Sequence, residues 1–140
     1  MCILFLSAAC SWRKSFLLRE MKPQIDSTSF GLITVEGKTY KHDILIRLDG
    51  HVEMREKQLS KALYGTSHTV SLEEAKHIYE EGTEKIIIGT GQTGFVKLSE
   101  EAEDFFREKQ CGIELFPTPL AIERWNEVEG RFSAMFHITC

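Results

Sequence analysis

Between residues 70 and 140 the sequence alternates helical and strand-like segments, and this alternation constrains the fold more than any other feature. Ser71 to Glu74 form a capping box that begins an amphipathic helix, and Ser99 begins a second one. Thr118, which is followed by proline, is expected to cap a third helix. The apolar segments EKIIIG, GIELF and RFSAMFHIT alternate with these helices. This order, β-α-β-α-β after a first helix, predicts a largely parallel sheet with right-handed crossovers.

Residues 29 to 56 instead contain three strand-like segments separated by turns. SFGLITV ends at Glu36-Gly37, KTYKHDILIRL ends at Asp49-Gly50, and HVEMRE follows. Asp-Gly between two such segments is typical of a hairpin, because both central residues of a type I′ turn need positive φ. The segments predict an antiparallel meander. The fold class is therefore α/β, a single three-layer domain with a mixed central sheet over residues 21–140. Residues 1–20 are interpreted as a disordered leader or an overextended start.

Charge and cysteine usage limit the partners and the compartment. The formal net charge is −4, and charges of both signs are interspersed, so nucleic acid is not expected as a partner. No segment has the roughly 20 apolar residues that a membrane-spanning helix needs. The four cysteines match neither a disulfide framework nor a zinc motif, which favours the cytoplasm. The basic segment SWRKSFLLR leaves a mitochondrial presequence as the alternative.

A glycine-rich loop follows the first apolar strand after residue 80. It has the G-x-G-x-x-G pattern of dinucleotide-binding loops and consists of Gly89, Thr90, Gly91, Gln92, Thr93 and Gly94. The next helix, however, begins at Ser99 and not within the glycines. Glu114, the acid that would contact a ribose, lies within a strand, and only 26 residues follow it. The sequence therefore predicts no dinucleotide and no other cofactor.

Two interpretations of this loop stay open. The glycines are needed either for positive φ and close packing at a strand exit, or for contact with a small ligand or a protein. In the second case the backbone N–H groups of the loop are expected to be free to meet an anion or a partner carbonyl.

A second candidate loop has the sequence LYGTSHT. Its candidate residues, Tyr64, Gly65, Thr66, Ser67 and His68, offer hydroxyl groups, an imidazole and a flexible backbone. The alternative is a turn whose hydroxyls satisfy its own backbone. We expect both loops, together with Thr118, to lie beside one cleft. His137 and Cys140 are three residues apart, which on a strand places them on opposite faces, so joint chemistry requires the chain to curl. No metal ligands and no catalytic residues are assigned.

Several motifs together resemble the Mth-nine-three-eight-like domain family. They are SFGLITVEGKTYKHDILI, YGTSH, KIIIGTGQTG, the T-x-x-A-I-x-x-W-N pattern from Thr118 to Asn126, and the final FHITC. The resemblance spans residues 29–140 and implies a three-layer fold with a mixed central sheet. Relatives include the mitochondrial complex I assembly factor three and a human protein associated with adipogenesis, and no catalytic residues can be carried over.

The resemblance and the two loops favour a non-catalytic binding or assembly module. The expected partner is a protein or a small molecule, contacted through residues 64–68 and 89–94. The alternative is a small enzyme that uses His68 or Cys140 at the same cleft. The sequence makes no prediction of the partner's identity or of the oligomeric state.

Overall fold

The structure is a computed structural model and describes residues 22–140, so the predicted leader lies outside the described residues. None of the helices in this part is long and apolar enough to cross a membrane. The described elements, in chain order, are β1 Ile25–Ser29, β2 Leu32–Val35, β3 Lys38–Tyr40, β4 Ile44–Ile46, β5 Val52–Met54, α1 Gln58–Tyr64, β6 Thr69–Val70, α2 Leu72–Ile78, β7 Lys85–Thr90, β8 Lys97–Leu98, α3 Glu100–Glu108, β9 Gly112–Phe116, α4 Thr118–Glu127 and β10 Phe132–His137.

The central sheet has five strands in the order β5-β4-β10-β7-β9. Strands β10, β7 and β9 run parallel, as the alternation with helices predicted. Strand β4 pairs antiparallel with β10, and β5 pairs antiparallel with β4. The sheet is therefore mixed, and the predicted α/β fold class is confirmed.

Both faces of this sheet are buried, which gives the molecule its layers. On β7, Ile87 contributes to one apolar cluster, whereas Ile86 and Ile88 contribute to the other. The first cluster includes Trp125 of α4, and the second includes Phe106 of α3. Fully burying each such side chain contributes about 1.5–3 kcal/mol to folding, so a continuous isoleucine run is favourable only in a strand covered on both faces.

The prediction of the N-terminal meander is wrong in one respect. Strands β1, β2 and β3 form a separate antiparallel sheet, whereas β4 and β5 belong to the central sheet. The predicted strand KTYKHDILIRL is thus divided at residues 41–43. The division coincides with Asp43, whose buried carboxylate pairs with Arg55, and a buried charge requires such a partner.

The helix α1 was not predicted. Its N-cap residue, Lys57, makes no capping hydrogen bond through its side chain, so the sequence has no start signal there. Tyr64 is the last residue of α1, and Gly65 ends the helix in the left-handed conformation with φ of 72°. Part of the predicted loop 63–69 is therefore helical.

The predicted start signals of the next two helices are confirmed with one difference. Ser99 Oγ accepts from Ala102 N–H, and Ser71 Oγ accepts from Glu74 N–H, both at 3.1 Å. The Glu74 carboxylate does not return to the Ser71 backbone as a capping box requires; Ser60 Oγ accepts the Ser71 N–H instead. Glu74 is thereby left to pair elsewhere.

Candidate functional site

Three parallel strands end at one edge of the central sheet, and two predicted site residues meet there. Strands β7, β9 and β10 end at Thr90, Phe116 and His137. Gly91 N–H donates to Thr118 Oγ1 at 3.0 Å, and Thr118 N–H donates to the Gly91 carbonyl at 2.9 Å. The glycine loop and the start of α4 are therefore in direct contact.

The capping role predicted for Thr118 is wrong. The N-cap of α4 is Pro117, which has no capping side chain, and Thr118 is the first helical residue. Thr118 Oγ1 instead donates to the His137 carbonyl at 2.5 Å. This fully buried hydroxyl joins α4, the glycine loop and the end of β10.

After β10, segment 138–140 leaves the strand direction and lies between two turns. Ile138 N–H donates to Asp43 Oδ1 at 3.0 Å, and Gly31 N–H donates to the Ile138 carbonyl at 2.8 Å. Gln92 N–H donates to the Thr139 carbonyl at 2.6 Å. The segment is thus anchored to the β1–β2 turn and to the glycine loop, and strand alternation no longer sets the direction of Cys140.

The path of segment 138–140 brings together three side chains, including His137 and Cys140, which strand alternation would place on opposite faces. One ligand atom each from His68, His137 and Cys140 lies within 4.8 Å of the other two. Cys140 Sγ is 3.7 Å from His68 Nε2, and the two imidazole rings meet edge to face with centroids 5.4 Å apart. His137 is buried, whereas His68 and Cys140 are half-buried. We call these three residues the His-His-Cys cluster.

A carboxylate fixes the orientation of His137. Asp43 Oδ2 lies 2.7 Å from His137 Nδ1. Burial alone would raise the pKa of Asp43, but His137, the Ile138 N–H and Arg55 together hold the pKa below its usual value. As a carboxylate, Asp43 accepts the Nδ1 proton, and Thr139 Oγ1 lies 3.1 Å from the other ring nitrogen of His137, Nε2.

Behind this pair lies a buried ion network centred on Arg55. Its guanidinium contacts Asp43 at 2.9 Å and the two Glu74 oxygens at 2.6 and 3.0 Å. It also donates to the Ser67 carbonyl at 2.7 Å. Burial would lower the pKa of Arg55, but the carboxylates of Glu74 and Asp43 raise it. Arg55 therefore connects the loop before His68 to the carboxylate that holds His137.

The glycine loop is held in place by hydrogen bonds of its backbone and of the two residues that follow it. Besides Gly91 and Gln92, Phe95 N–H donates to the Cys140 carbonyl at 3.2 Å, and Val96 N–H donates to the Thr90 carbonyl at 3.0 Å. Thr93 Oγ1 donates to the Cys140 carbonyl at 3.0 Å. The expectation that the N–H groups of the glycine loop are free for an anion is therefore wrong for Gly91 and Gln92, and Phe95 and Val96 directly after the loop are paired as well.

Two glycines of the loop are required by close packing. A Cβ at Gly89 would lie 2.8 Å from Phe136 Cδ1 and 2.9 Å from Thr118 Oγ1. A Cβ at Gly91, where φ is +107°, would lie 2.5 Å from the carbonyl carbon and oxygen of Cys140. Gly94 also has positive φ but meets nothing closer than 3.6 Å. Gly89 and Gly91 are therefore needed because segment 138–140, Phe136 and the start of α4 pack directly against their backbone.

The residues predicted in the loop 64–68 separate into two groups. Thr66 Oγ1 accepts the His68 N–H at 3.1 Å, and the His68 carbonyl accepts from Lys97 N–H at 2.8 Å, so this part faces the cluster. Tyr64 instead lines an open groove with Ser99 and other residues around β8. The structure brings His68 to Phe95 and Cys140, whereas Tyr64 lines the groove around β8.

Two exposed aromatic side chains flank segment 138–140. Phe95 is 61% exposed and stacks on His68 with ring centroids 6.2 Å apart. Phe30, in the β1–β2 turn that holds Ile138, is 69% exposed. Aromatic side chains are enriched at protein interfaces relative to the rest of the surface.

Sequence reasoning missed the residues that organise this site. Asp43, Arg55 and Glu74 were not selected as site residues, and Glu74 was considered only as part of a capping box. The sequence offered no clear signal for them, because the failure of the capping box at Glu74 and the end of β5 before Arg55 are visible only in the structure. Their pairing joins positions 12 and 19 residues apart, which no local pattern specifies.

Comparisons with known proteins place this chain in a family. The family described as protein of unknown function (DUF498/DUF598) matches residues 25–137. A conserved hypothetical protein from Pyrococcus horikoshii is 34% identical with a TM-score of 0.76, over 84% of this chain and 99% of that protein. The protein MT938 is 33% identical with a TM-score of 0.71, over 85% of this chain and 100% of that protein. A Mth938-like domain from Bordetella pertussis, 17% identical over 83% of this chain and 85% of its own, shares the fold at a TM-score of 0.53. The chain therefore belongs to the DUF498 family of Mth938-like α/β domains.

Proposed function

We propose that this domain is a non-catalytic binding module that contacts a protein partner around segment 138–140. The contact surface includes Phe30, Phe95 and the half-buried His68. The observation that carries the proposal is the pair of exposed aromatic rings on two turns that are both hydrogen-bonded to this segment. A rigid backbone beneath exposed aromatic side chains is favourable for binding, because little conformational entropy is lost on association.

The compartment proposed for this module is the cytoplasm. The described cysteines, Cys111 and Cys140, are free thiols. Free thiols are typical of proteins kept in a reducing compartment. A mitochondrial location remains the alternative that the basic segment before residue 20 supports.

A small enzyme is the second candidate, and one distance favours it. Cys140 Sγ lies 3.7 Å from His68 Nε2, within reach of a thiolate–imidazole pair. Acyl transfer would also need N–H donors for the developing oxyanion. The N–H groups of Gly91, Gln92 and Phe95 already donate to protein oxygens. The fastened loop therefore favours binding over this type of catalysis.

Capture from native lysate with point variants tests the proposal. We expect Phe95→Ala and Phe30→Ala to lose the same captured proteins, with enrichment lowered at least about tenfold, the loss expected for a central aromatic contact. Met54→Ala is the matched control, since Met54 is 56% exposed on the edge strand β5. Circular dichroism checks that each variant is folded. Equal capture by all three variants and the unmodified chain would contradict a binding surface at this place.

A further inference from the structure

We propose that the His-His-Cys cluster binds one divalent transition-metal ion, with Zn²⁺ as the best fit. The inference concerns the surface discussed above but does not rest on the proposed function, since metal binding is measured without any partner. The donor set is two imidazoles and one thiolate, which suits zinc and excludes the hard cations Mg²⁺ and Ca²⁺.

The spacing of the ligand atoms suits a tetrahedral ion. Zinc bonds of about 2.0–2.3 Å place neighbouring ligand atoms about 3.3–3.8 Å apart. Cys140 Sγ and His68 Nε2 are already 3.7 Å apart, and all three ligand atoms lie within 4.8 Å of one another. Bringing the two distances to His137 into this range needs movements on the order of 1 Å, which half-buried His68 and Cys140 can make by rotating side-chain bonds.

The hydrogen bonds around the cluster support a metal ligand at His137. Metal-binding histidines commonly donate the proton of one ring nitrogen to a carboxylate while the other nitrogen binds the ion. Asp43 Oδ2 accepts from His137 Nδ1 at 2.7 Å, and Arg55 in turn holds Asp43. The Thr139 hydroxyl lies 3.1 Å from Nε2, and it would give up this contact when Nε2 binds the ion.

Three protein ligands leave a fourth position for an external group. Sites with three protein ligands and an open position are those in which zinc binds water or a substrate atom, in contrast to closed structural sites with four. The geometry therefore points to an accessible zinc at which a partner side chain or a small molecule supplies the fourth ligand.

Cobalt spectroscopy and zinc titration test the site on the full, untagged chain. Cys2 and Cys10 are replaced by serine so that their thiols do not compete. We expect Co²⁺ to give a thiolate charge-transfer band and the intense visible absorption of tetrahedral cobalt, and zinc to displace it at one ion per chain. Cys140→Ser should abolish the charge-transfer band, and His68→Ala should weaken zinc binding by more than about tenfold.

Matched variants separate ligands from bystanders. His51→Ala removes an imidazole that is 65% exposed outside the cluster and should leave zinc binding unchanged. Asp43→Asn should weaken zinc binding about 10- to 100-fold, as loss of a carboxylate behind a histidine ligand does, if the variant remains folded. His68 and Cys140 are half-buried, so their variants stay informative even if Asp43→Asn unfolds. The proposal is overturned if zinc binding is not saturable, or if Cys140→Ser and His68→Ala bind zinc like the unmodified chain.

Discussion

At the scale of single residues, Arg55 connects the separate parts of the site. Its side chain is completely buried and touches two carboxylates and the Ser67 carbonyl. Attraction between such charges is offset by the cost of removing them from water, so the network contributes less to stability than to a defined geometry. Loss of the central charge is different, because it leaves the buried Glu74 without its cationic partner and Asp43 with only His137.

The first prediction concerns that loss. Arg55→Met should lower the free energy of unfolding by about 3–5 kcal/mol, the range for breaking a buried ion pair from one side. Urea denaturation followed by circular dichroism measures the change. Arg107→Met is the control, because Arg107 and its partner Asp104 are 73% and 64% exposed, and it should change stability by less than about 1 kcal/mol. Equal losses in both variants would show that the Arg55 network has no special role.

At the scale of elements, the sequence correctly predicted those features that depend on contacts between residues close together in the chain. The helix starts at Ser71 and Ser99 depend on a hydroxyl bonding a backbone N–H three residues on, and both are present. The prediction failed at KTYKHDILIRL, where residue patterning indicated one strand and the structure has β3 and β4 in different sheets. There the pairing of Asp43 with Arg55 and His137 decides, and these contacts reach across 12 and 94 residues.

The glycine loop gives an element-scale prediction, because two of its glycines differ in one respect. Gly91 and Gly94 both have positive φ, but only at Gly91 would a Cβ collide with segment 138–140. Gly91→Ala should therefore displace Cys140 and speed its alkylation, at a stability cost of about 1–3 kcal/mol. Gly94→Ala should share the backbone strain without the displacement.

Alkylation with iodoacetamide, followed by peptide mass spectrometry in the presence of a chelator, measures this effect. Cys111 provides a slow internal reference, because burial raises the pKa of its thiol to about 11 and only about one molecule in a thousand is ionised at pH 8. Indistinguishable alkylation of Cys140 in the two variants would mean that Gly91 does not hold segment 138–140 in place.

At the scale of the whole molecule, the site exists because the topology places distant segments at one edge. The sequence placed the glycine loop and the start of α4 there, since parallel strands share the direction of their carboxyl ends. Which side chains meet depends on how segment 138–140 curls between the β1–β2 turn and that loop. That path is set by tertiary hydrogen bonds. The sequence therefore indicated His68 and Cys140 as alternatives at one cleft but did not predict that they contact each other.

The last prediction is that residues 1–20 are dispensable for folding. The two relatives with about one-third identity are covered almost completely by 84% and 85% of this chain, so their fold forms without a counterpart of the remaining residues. Both apolar clusters of the described part draw on residues from Ile25 to Ile138. Deleting residues 1–20 should therefore change the melting temperature by less than about 4 °C, the shift that roughly 1 kcal/mol produces in a domain of this size. Differential scanning calorimetry of the two chains measures it. A variant that aggregates or melts far lower would show that the N-terminal segment packs against the domain, and the boundary at residue 21 would then be wrong.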